Sequence, residues 1–260
     1  MRKITIKEIY KKKGKTPIAC LTAYSKPLAE ILDKYCDIIL VGDSVGMTLY
    51  GMQTTKEVKI ETMILHAQAV KKSVKRSLVV FDMPYKTYPN KFTAYKNAKK
   101  ILRLTKCDAV KLEGGKKEAE TIKYLIHKKI PVMGHVGLLP QTSKNFKPQG
   151  KNFFQRKKIL NDAFAISKTG VFAIVIECVV ESLAKEITRS ISTPTIGIGA
   201  SKYCDGQILV IDDMIGLNTT PPRFAKRYSN IKKDIEKAVK NYCKDVKKRK
   251  FPFFQNIYKQ

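Results

Sequence analysis

Four acidic side chains in this sequence each stand just after a short, mostly apolar run, and together they could form one site. The runs at 38–41, 78–81, 109–112 and 173–176 precede Asp43, Asp82, Glu113 and Glu177. Short aliphatic runs closed by a turn signal are typical of buried parallel strands. Groups at the carboxyl ends of such strands meet at one edge, where α/β proteins carry their chemistry. The pattern therefore predicts a site built from several strand ends.

Three of these carboxylates would need a cation between them. Asp43, Asp82 and Glu113 would repel one another at close range. Carboxylate oxygens suit Mg²⁺, which commonly takes its remaining ligands from water and substrate. Zinc is not favoured, because the three histidines show no ligand spacing. For each acid, a helix cap or an ion pair with a lysine stays open as an alternative.

The elements that would position these acids alternate along the chain. Strand-like runs are expected at 18–24, 37–43, 77–81, 109–113, 131–136, 173–177, 195–199 and 207–211. Helical spacing separates most of them, and two long loops are expected at 45–58 and 139–152. This rhythm predicts right-handed crossovers and a parallel sheet. With 260 residues, the chain fits a single (β/α)8 TIM barrel, with a short N-terminal helix and a C-terminal helical tail.

Composition excludes some classes of protein. No apolar run approaches the roughly 20 residues that a membrane span needs, and residues 1–15 lack a signal-peptide core, so we expect a cytoplasmic protein without a membrane partner. The six cysteines are scattered without a C-x-x-C pair, which predicts buried thiols in a reducing compartment. The formal net charge is +29. Because the lysines are spread over most predicted helices, this charge indicates a solvated surface rather than a specific nucleic-acid site.

Several motifs resemble those of the ketopantoate hydroxymethyltransferase family. They are VGDSVGM at 41–47, KLEGG at 111–115, GHVGLLPQ at 134–141, IECV at 176–179, GIGA at 197–200 and DGQILV at 205–210. The resemblance extends from about residue 4 to residue 228, in order and at the expected spacings. It implies a barrel of the phosphoenolpyruvate/pyruvate type. It also implies transfer of a hydroxymethyl group from 5,10-methylenetetrahydrofolate to 3-methyl-2-oxobutanoate, the first step towards pantothenate.

The resemblance also assigns roles to individual residues. It implies that Glu177 is the general base, and that three residues belong to a Mg²⁺ site, namely Asp43, Asp82 and Glu113. Binding of the 2-oxo acid would involve Asp43, Ser44, Asp82, Lys111 and His135. For His135 a packed core position stays open as an alternative. The family assembles as homo-oligomers, typically decamers, which is the expectation for this chain.

The sequence departs from the family pattern at three places. Ser25 stands where the family usually carries Asp, and Val180 stands where it usually carries Pro. The loop after Gln141 is shorter than is usual. Two other functions stay open: a Mg²⁺-dependent lyase or mutase acting on another 2-oxo acid, and a basic RNA-associated protein that has kept an enzyme fold.

Overall fold

Eight parallel strands close into a barrel in which each strand pairs with its neighbours in sequence order, and β1 pairs with β8. The computed structural model describes residues 2–143 and 147–258. The strands are β1 Ile18–Thr22, β2 Ile38–Val41, β3 Leu78–Asp82, β4 Ala109–Lys111, β5 Val132–Gly137, β6 Ala173–Glu177, β7 Thr195–Ile198 and β8 Gly206–Leu209. The predicted barrel is confirmed.

Helices follow most strands along the chain. They are α1 Ile6–Lys11, α2 Lys26–Leu32, α3 Val45–Leu49, α4 Ile60–Lys71, α5 Lys91–Thr105, α6 Ala119–His127, α7 Phe153–Ser167, α8 Glu181–Ser190, α9 Ile211–Ile215 and α10 Ile231–Lys247. Their starts follow local chemistry: the Asn90 side chain accepts from the backbone N–H groups of Phe92 and Thr93 at the start of α5. As predicted, the connection between β7 and β8 carries no helix.

The barrel interior is filled by side chains from alternate strand positions. Ile38 and Leu40 on β2, and Leu78 and Val80 on β3, belong to one buried cluster. This two-residue alternation is the geometry of a strand, whose successive side chains point to opposite faces. Ile9 of α1 is fully buried in the same cluster, so the predicted leading helix packs against the barrel core.

Several predicted element boundaries are wrong: the strands expected at 18–24, 37–43 and 109–113 end two residues earlier. The first long loop contains α3 and a 3₁₀ turn at Thr55–Glu57. In α3 the backbone N–H of Thr48 donates to the Ser44 carbonyl, as in a regular helix, although Gly46 argued against a helix in the sequence. The eighth strand ends at Leu209 rather than residue 211, since Ile211 already begins α9. Part of the second long loop, residues 144–146, lies outside the described residues.

The chain divides into two compact units, Met1–Val210 and Ile211–Gln260. The first contains the whole barrel. The second contains α9 and α10, and α10 has no buried residue. In this second unit Tyr242 and Phe251 make an edge contact, with ring centroids 5.6 Å apart. The interpretation of the chain as a single domain stays a prediction. None of the described helices is long and apolar enough to cross a membrane.

The cysteines follow their predicted burial with exceptions. Cys20, Cys36, Cys107 and Cys204 are buried. Cys178 is half-buried and Cys243, on α10, is exposed, so the prediction of buried thiols is wrong for Cys243.

One carboxylate ties the start of the chain to the amino ends of the last two strands. The Lys13 ammonium donates to Asp205 at 2.8 Å, and the backbone N–H of Gly14 donates to it at 2.9 Å. The backbone N–H of Thr195, on β7, also donates to it at 2.8 Å. Burial alone would raise the pKa of Asp205, but these donors hold that pKa below its usual value.

We expect the substitution Asp205→Asn to destabilise the barrel at neutral pH by about 1.5–3 kcal/mol, the range for hydrogen bonds to a charged group. A carboxylate with a lowered folded-state pKa stabilises the fold above its unfolded pKa of about 3.9, and loses that contribution as pH falls through the folded value. Urea unfolding at several pH values measures this. The gap between wild type and variant should be full at pH 7 and shrink below about pH 4. A gap independent of pH would contradict the assignment.

Candidate active site

The strand alternation aims a set of polar side chains into the carboxyl end of the barrel. Each member stands two residues after an interior core residue and so faces the same way. The pairs are Val80 and Asp82, Ala109 and Lys111, Met133 and His135, and Val175 and Glu177. The sequence-predicted residues on β3 to β6 therefore share one mouth.

A buried ion pair lies in this mouth. Asp82 and Lys111 are direct neighbours across β3 and β4, and the Lys111 ammonium lies 2.8 Å from each Asp82 carboxylate oxygen. Burial would lower the pKa of Lys111, but the charges of Asp82, Glu113 and Asp43 raise it. The ammonium therefore stays charged. The alternative of an ion pair with a lysine therefore holds for Asp82. Lys111 supplies part of the positive charge that the clustered carboxylates need.

Asp43 and Ser44 follow β2 and are held from different sides. Oδ2 of Asp43 accepts a hydrogen bond from Nε2 of Gln141 at 2.8 Å. The Ser44 hydroxyl is 2.8 Å from the Tyr24 hydroxyl. Asp43 is buried, whereas Ser44 is half-buried. Two of the five residues that the family resemblance assigns to the 2-oxo acid therefore lie at the end of β2, one buried and one closer to solvent.

His135 lies between two carboxyl groups. Its Nδ1 is 3.7 Å from Oε1 of Glu113, and its Nε2 is 3.4 Å from Oε2 of Glu177. Nε2 is also 2.8 Å from the Leu138 carbonyl, which can only accept, so Nε2 carries the proton. Burial lowers the pKa of His135, helped by the charge of Lys111. The ring is therefore neutral, and it separates the two acids as a packed polar group.

Burial makes three carboxyl groups of the mouth, those of Asp43, Glu113 and Glu177, weaker acids. Desolvation and the charge of Asp82 raise the pKa of Asp43 to about 7. Desolvation raises the pKa of Glu177 to about 8, although Lys111 opposes the change. The pKa of Glu113 is also raised by burial. A carboxyl with a pKa near neutrality can take a proton from carbon and release it again, which suits a general base.

The fit of these residues to Mg²⁺ rests on donor chemistry. Among residues 2–143 and 147–258, no group of three or more His, Cys, Asp or Glu side chains is arranged to hold one ion directly. Mg²⁺ often uses one or two carboxylates together with water and substrate. Asp43 and Asp82 are such oxygen donors, and the repulsion that raises the pKa of Asp43 would be relieved by a cation. The predicted three-ligand site stays a prediction.

Sequence reasoning missed two residues of this mouth. Gln141 lies inside a quoted motif but received no role, and Tyr88 follows β3 in a Pro-rich stretch. The Tyr88 hydroxyl donates to Oε1 of Gln141 at 2.5 Å and accepts from the backbone N–H of Glu113 at 3.3 Å. The signal that could have found Gln141 is a polar residue just after Pro140, in the loop that follows the strand carrying His135.

Comparison with known proteins shows to which family this chain belongs. The model of the ketopantoate hydroxymethyltransferase family matches residues 3–253. The chain belongs to this family. The family recognised from the motifs is thereby confirmed, and the ketopantoate hydroxymethyltransferase match covers both the barrel and most of the second unit.

Individual members of the ketopantoate hydroxymethyltransferase family are similar over nearly the whole chain. The 3-methyl-2-oxobutanoate hydroxymethyltransferase of Pelagibacter ubique is 56% identical over 248 residues, covering 95% of this chain and 96% of the relative. The enzyme of the same name from Bartonella henselae is 51% identical and covers 100% of this chain and 96% of the relative.

Solved structures of the same fold are more distant. A phosphonopyruvate hydrolase in complex with oxalate and Mg²⁺ has a TM-score of 0.62 at 10% identity, covering 97% of this chain and 93% of the other. A 2,3-dimethylmalate lyase of the PEP mutase/isocitrate lyase superfamily has a TM-score of 0.63 at 10% identity, covering 97% and 87%. At this identity the likeness is one of fold. It agrees with the barrel type expected from the ketopantoate hydroxymethyltransferase motifs.

One departure from the ketopantoate hydroxymethyltransferase pattern has a structural consequence. The backbone N–H of Val180, at the start of α8, donates to the Gln149 carbonyl at 3.0 Å. The backbone N–H of Gln149 in turn donates to the Cys178 carbonyl at 2.7 Å. Proline has no N–H, so the first bond requires the departure from the family's usual residue. The loop that follows Gln141 is therefore joined to the β6–α8 connection by two backbone hydrogen bonds.

Proposed function

We propose that this chain forms 2-dehydropantoate from 3-methyl-2-oxobutanoate, with 5,10-methylenetetrahydrofolate as the one-carbon donor, as the first step of pantothenate biosynthesis. The observation that carries the proposal is the mouth of a family-member barrel in which Glu177, with a pKa of about 8, stands beside the buried Lys111–Asp82 pair. A weak carboxyl base and a fixed positive charge are the groups that enolisation of a 2-oxo acid needs.

In the proposed reaction, the ionised Glu177 takes the proton from C3 of the 2-oxo acid. The electron pair left at C3 forms a carbon–carbon bond to the one-carbon unit of the folate. The two C–N bonds of the folate methylene carbon break, and water supplies the hydroxyl oxygen. Tetrahydrofolate leaves with one proton from water and one returned by Glu177, which is ionised again. Ser44 and Lys111 hold the oxo acid, with the ammonium of Lys111 stabilising negative charge that develops on its oxygens.

Mg²⁺ would be held by Asp43 and Asp82, with Glu113 acting through water, and when bound it acts as a Lewis acid towards the keto and carboxylate oxygens of the substrate. The position of Glu113 supports an indirect role, because its Oε2 already accepts from the backbone N–H of Gln141 at 3.1 Å. In the same proposal the folate lies towards solvent, beyond the oxo acid.

We expect purified protein to convert 3-methyl-2-oxobutanoate to 2-dehydropantoate with Mg²⁺ and 5,10-methylenetetrahydrofolate, and to lose this activity after treatment with EDTA. Mass spectrometry of the product, with ¹³C in the one-carbon unit, measures the transfer directly. Restoring Mg²⁺ should restore turnover. Absence of labelled product with Mg²⁺ present would reject the proposed function, and equal rates with and without the metal would reject its Mg²⁺ part.

The alternative of a lyase or mutase is not favoured, since the lyase and hydrolase relatives share only the fold. The resemblance to the family supports a homo-oligomer, typically a decamer, and a cytoplasmic location. No observation on the described residues favours a nucleic-acid partner.

A further inference from the structure

Gln141 uses every hydrogen-bonding group of its side chain inside the barrel mouth. Its Nε2 donates to Oδ2 of Asp43 at 2.8 Å and to the Met83 carbonyl at 3.0 Å. Its Oε1 accepts from the Tyr88 hydroxyl at 2.5 Å. The residue is 1% exposed, so water cannot readily replace a partner that is lost.

The orientation of this carboxamide is fixed by its partners. The Met83 carbonyl and the Asp43 carboxylate oxygen both accept, so the nitrogen must face them. The oxygen then faces Tyr88, whose hydroxyl donates to it. A rotation of the amide would place oxygen against oxygen at Met83 and at Asp43. The side chain therefore presents an N–H to Asp43 in one direction only.

Gln141 also joins three strand ends. Asp43 follows β2, Met83 follows β3, and the backbone N–H of Gln141 donates to Oε2 of Glu113, which follows β4, at 3.1 Å. The residue itself belongs to the loop after β5. It thus contacts two of the three carboxylates that the proposed function assigns to the metal, those of Glu113 and Asp43. Gln141 itself is not one of the proposed metal ligands.

From these contacts we infer that Gln141 is a positioning residue, whose carboxamide holds the Asp43 carboxylate in the orientation that binds the divalent cation. The inference rests on the proposed function, because it assigns Asp43 to that cation. Partners that orient metal ligands typically contribute about 10–100-fold in metal affinity or activity. The fixed amide meets the requirement for such a partner, since it is rigid, buried and donates directly to the ligand.

The test is binding of Mn²⁺ alone, measured by electron paramagnetic resonance, to metal-free protein. In Gln141→Met, which keeps the length of the side chain without its polar atoms, the Kd for Mn²⁺ should rise by about 10–100-fold. Gln141→Asn keeps the amide but is one methylene too short to reach both acceptors, and its Kd should also rise. It serves as the second variant if Gln141→Met does not fold.

Thr105→Val is the matched control. Thr105 is buried at the end of α5, shortly before the amino end of β4, whereas the mouth lies at the carboxyl ends of the strands. Its hydroxyl donates to the Ile101 carbonyl and accepts from the backbone N–H of Cys107. The control should lose thermal stability without weakening Mn²⁺ binding. Equal Mn²⁺ affinity in wild type and both Gln141 variants would overturn the inference alone. Wild type that makes product but binds no Mn²⁺ would overturn both the inference and the metal part of the proposed function.

Discussion

In Glu177→Gln we expect exchange of the C3 proton of 3-methyl-2-oxobutanoate with deuterated water to fall by about 10²- to 10⁴-fold, the usual contribution of a general base. Glutamine is nearly the same size but cannot take the proton. The side chain of Glu177 is 16% exposed, at the end of a strand whose preceding residues are buried, so it can reach a substrate held at the mouth. Wild type should exchange the proton in the presence of Mg²⁺ without folate, which nuclear magnetic resonance can follow.

Glu181→Gln is the control for this prediction. It makes the same chemical change four residues later, at the exposed start of α8, where Oε1 of Glu181 accepts from the Ser201 hydroxyl at 3.1 Å. Its exchange rate should stay close to that of wild type. If Glu177→Gln exchanges the proton as fast as wild type, Glu177 is not the base, and His135 becomes the next candidate through Nδ1, since its Nε2 carries a proton that faces the Leu138 carbonyl.

In Asp82→Ala we expect Mg²⁺-dependent turnover to fall by at least about 100-fold, because loss of a direct ligand should cost more than the 10–100-fold of an orienting partner. The substitution also removes both contacts of the buried Lys111 ammonium. Breaking a buried ion pair typically costs about 3–5 kcal/mol. Glu113 and Asp43, whose charges also act on Lys111, should reduce that loss. Turnover and thermal unfolding are measured on the same preparations.

Asp82→Asn separates the two effects of this substitution. Asparagine keeps the volume and one oxygen for Lys111, so it should unfold closer to wild type than Asp82→Ala. It lacks the negative charge that favours a cation, so its Mg²⁺-dependent turnover should still be low. Full Mg²⁺-dependent activity in a folded Asp82→Ala protein would show that the metal assignment is wrong.

The barrel could be predicted because each strand is specified by a short stretch of neighbouring residues. Every strand is a short aliphatic run, and the two-residue alternation that buries Val80 or Val175 also directs Asp82 and Glu177. The strand ends and the family motifs together named Asp82, Lys111, His135 and Glu177, but they gave no role to Gln141 or Tyr88.

Contacts between distant loops could not be predicted in the same way. The hydrogen bond from Gln141 to Asp43 joins residues 98 positions apart, and no periodicity records such a pair. For Lys111 the family motifs implied a positive charge near the substrate. Its ion pair with Asp82 could not be predicted, because it depends on the register between β3 and β4. The helix α3 was missed because Gly46 is a weak helix former. The structure requires glycine at this position, since a Cβ atom there would clash with the Val58 side chain.

The crowding of acids in the mouth has a consequence for the fold as a whole. Asp43, Glu113 and Glu177 are all harder to ionise than free carboxyl groups because of burial, so each charge held there opposes folding. Natural enzymes commonly keep such groups because activity is selected above maximal stability. The carboxyl end of the barrel therefore trades stability for activity. Stabilising interactions elsewhere, such as the hydrogen bonds of Asp205 at the amino end, help to offset this loss.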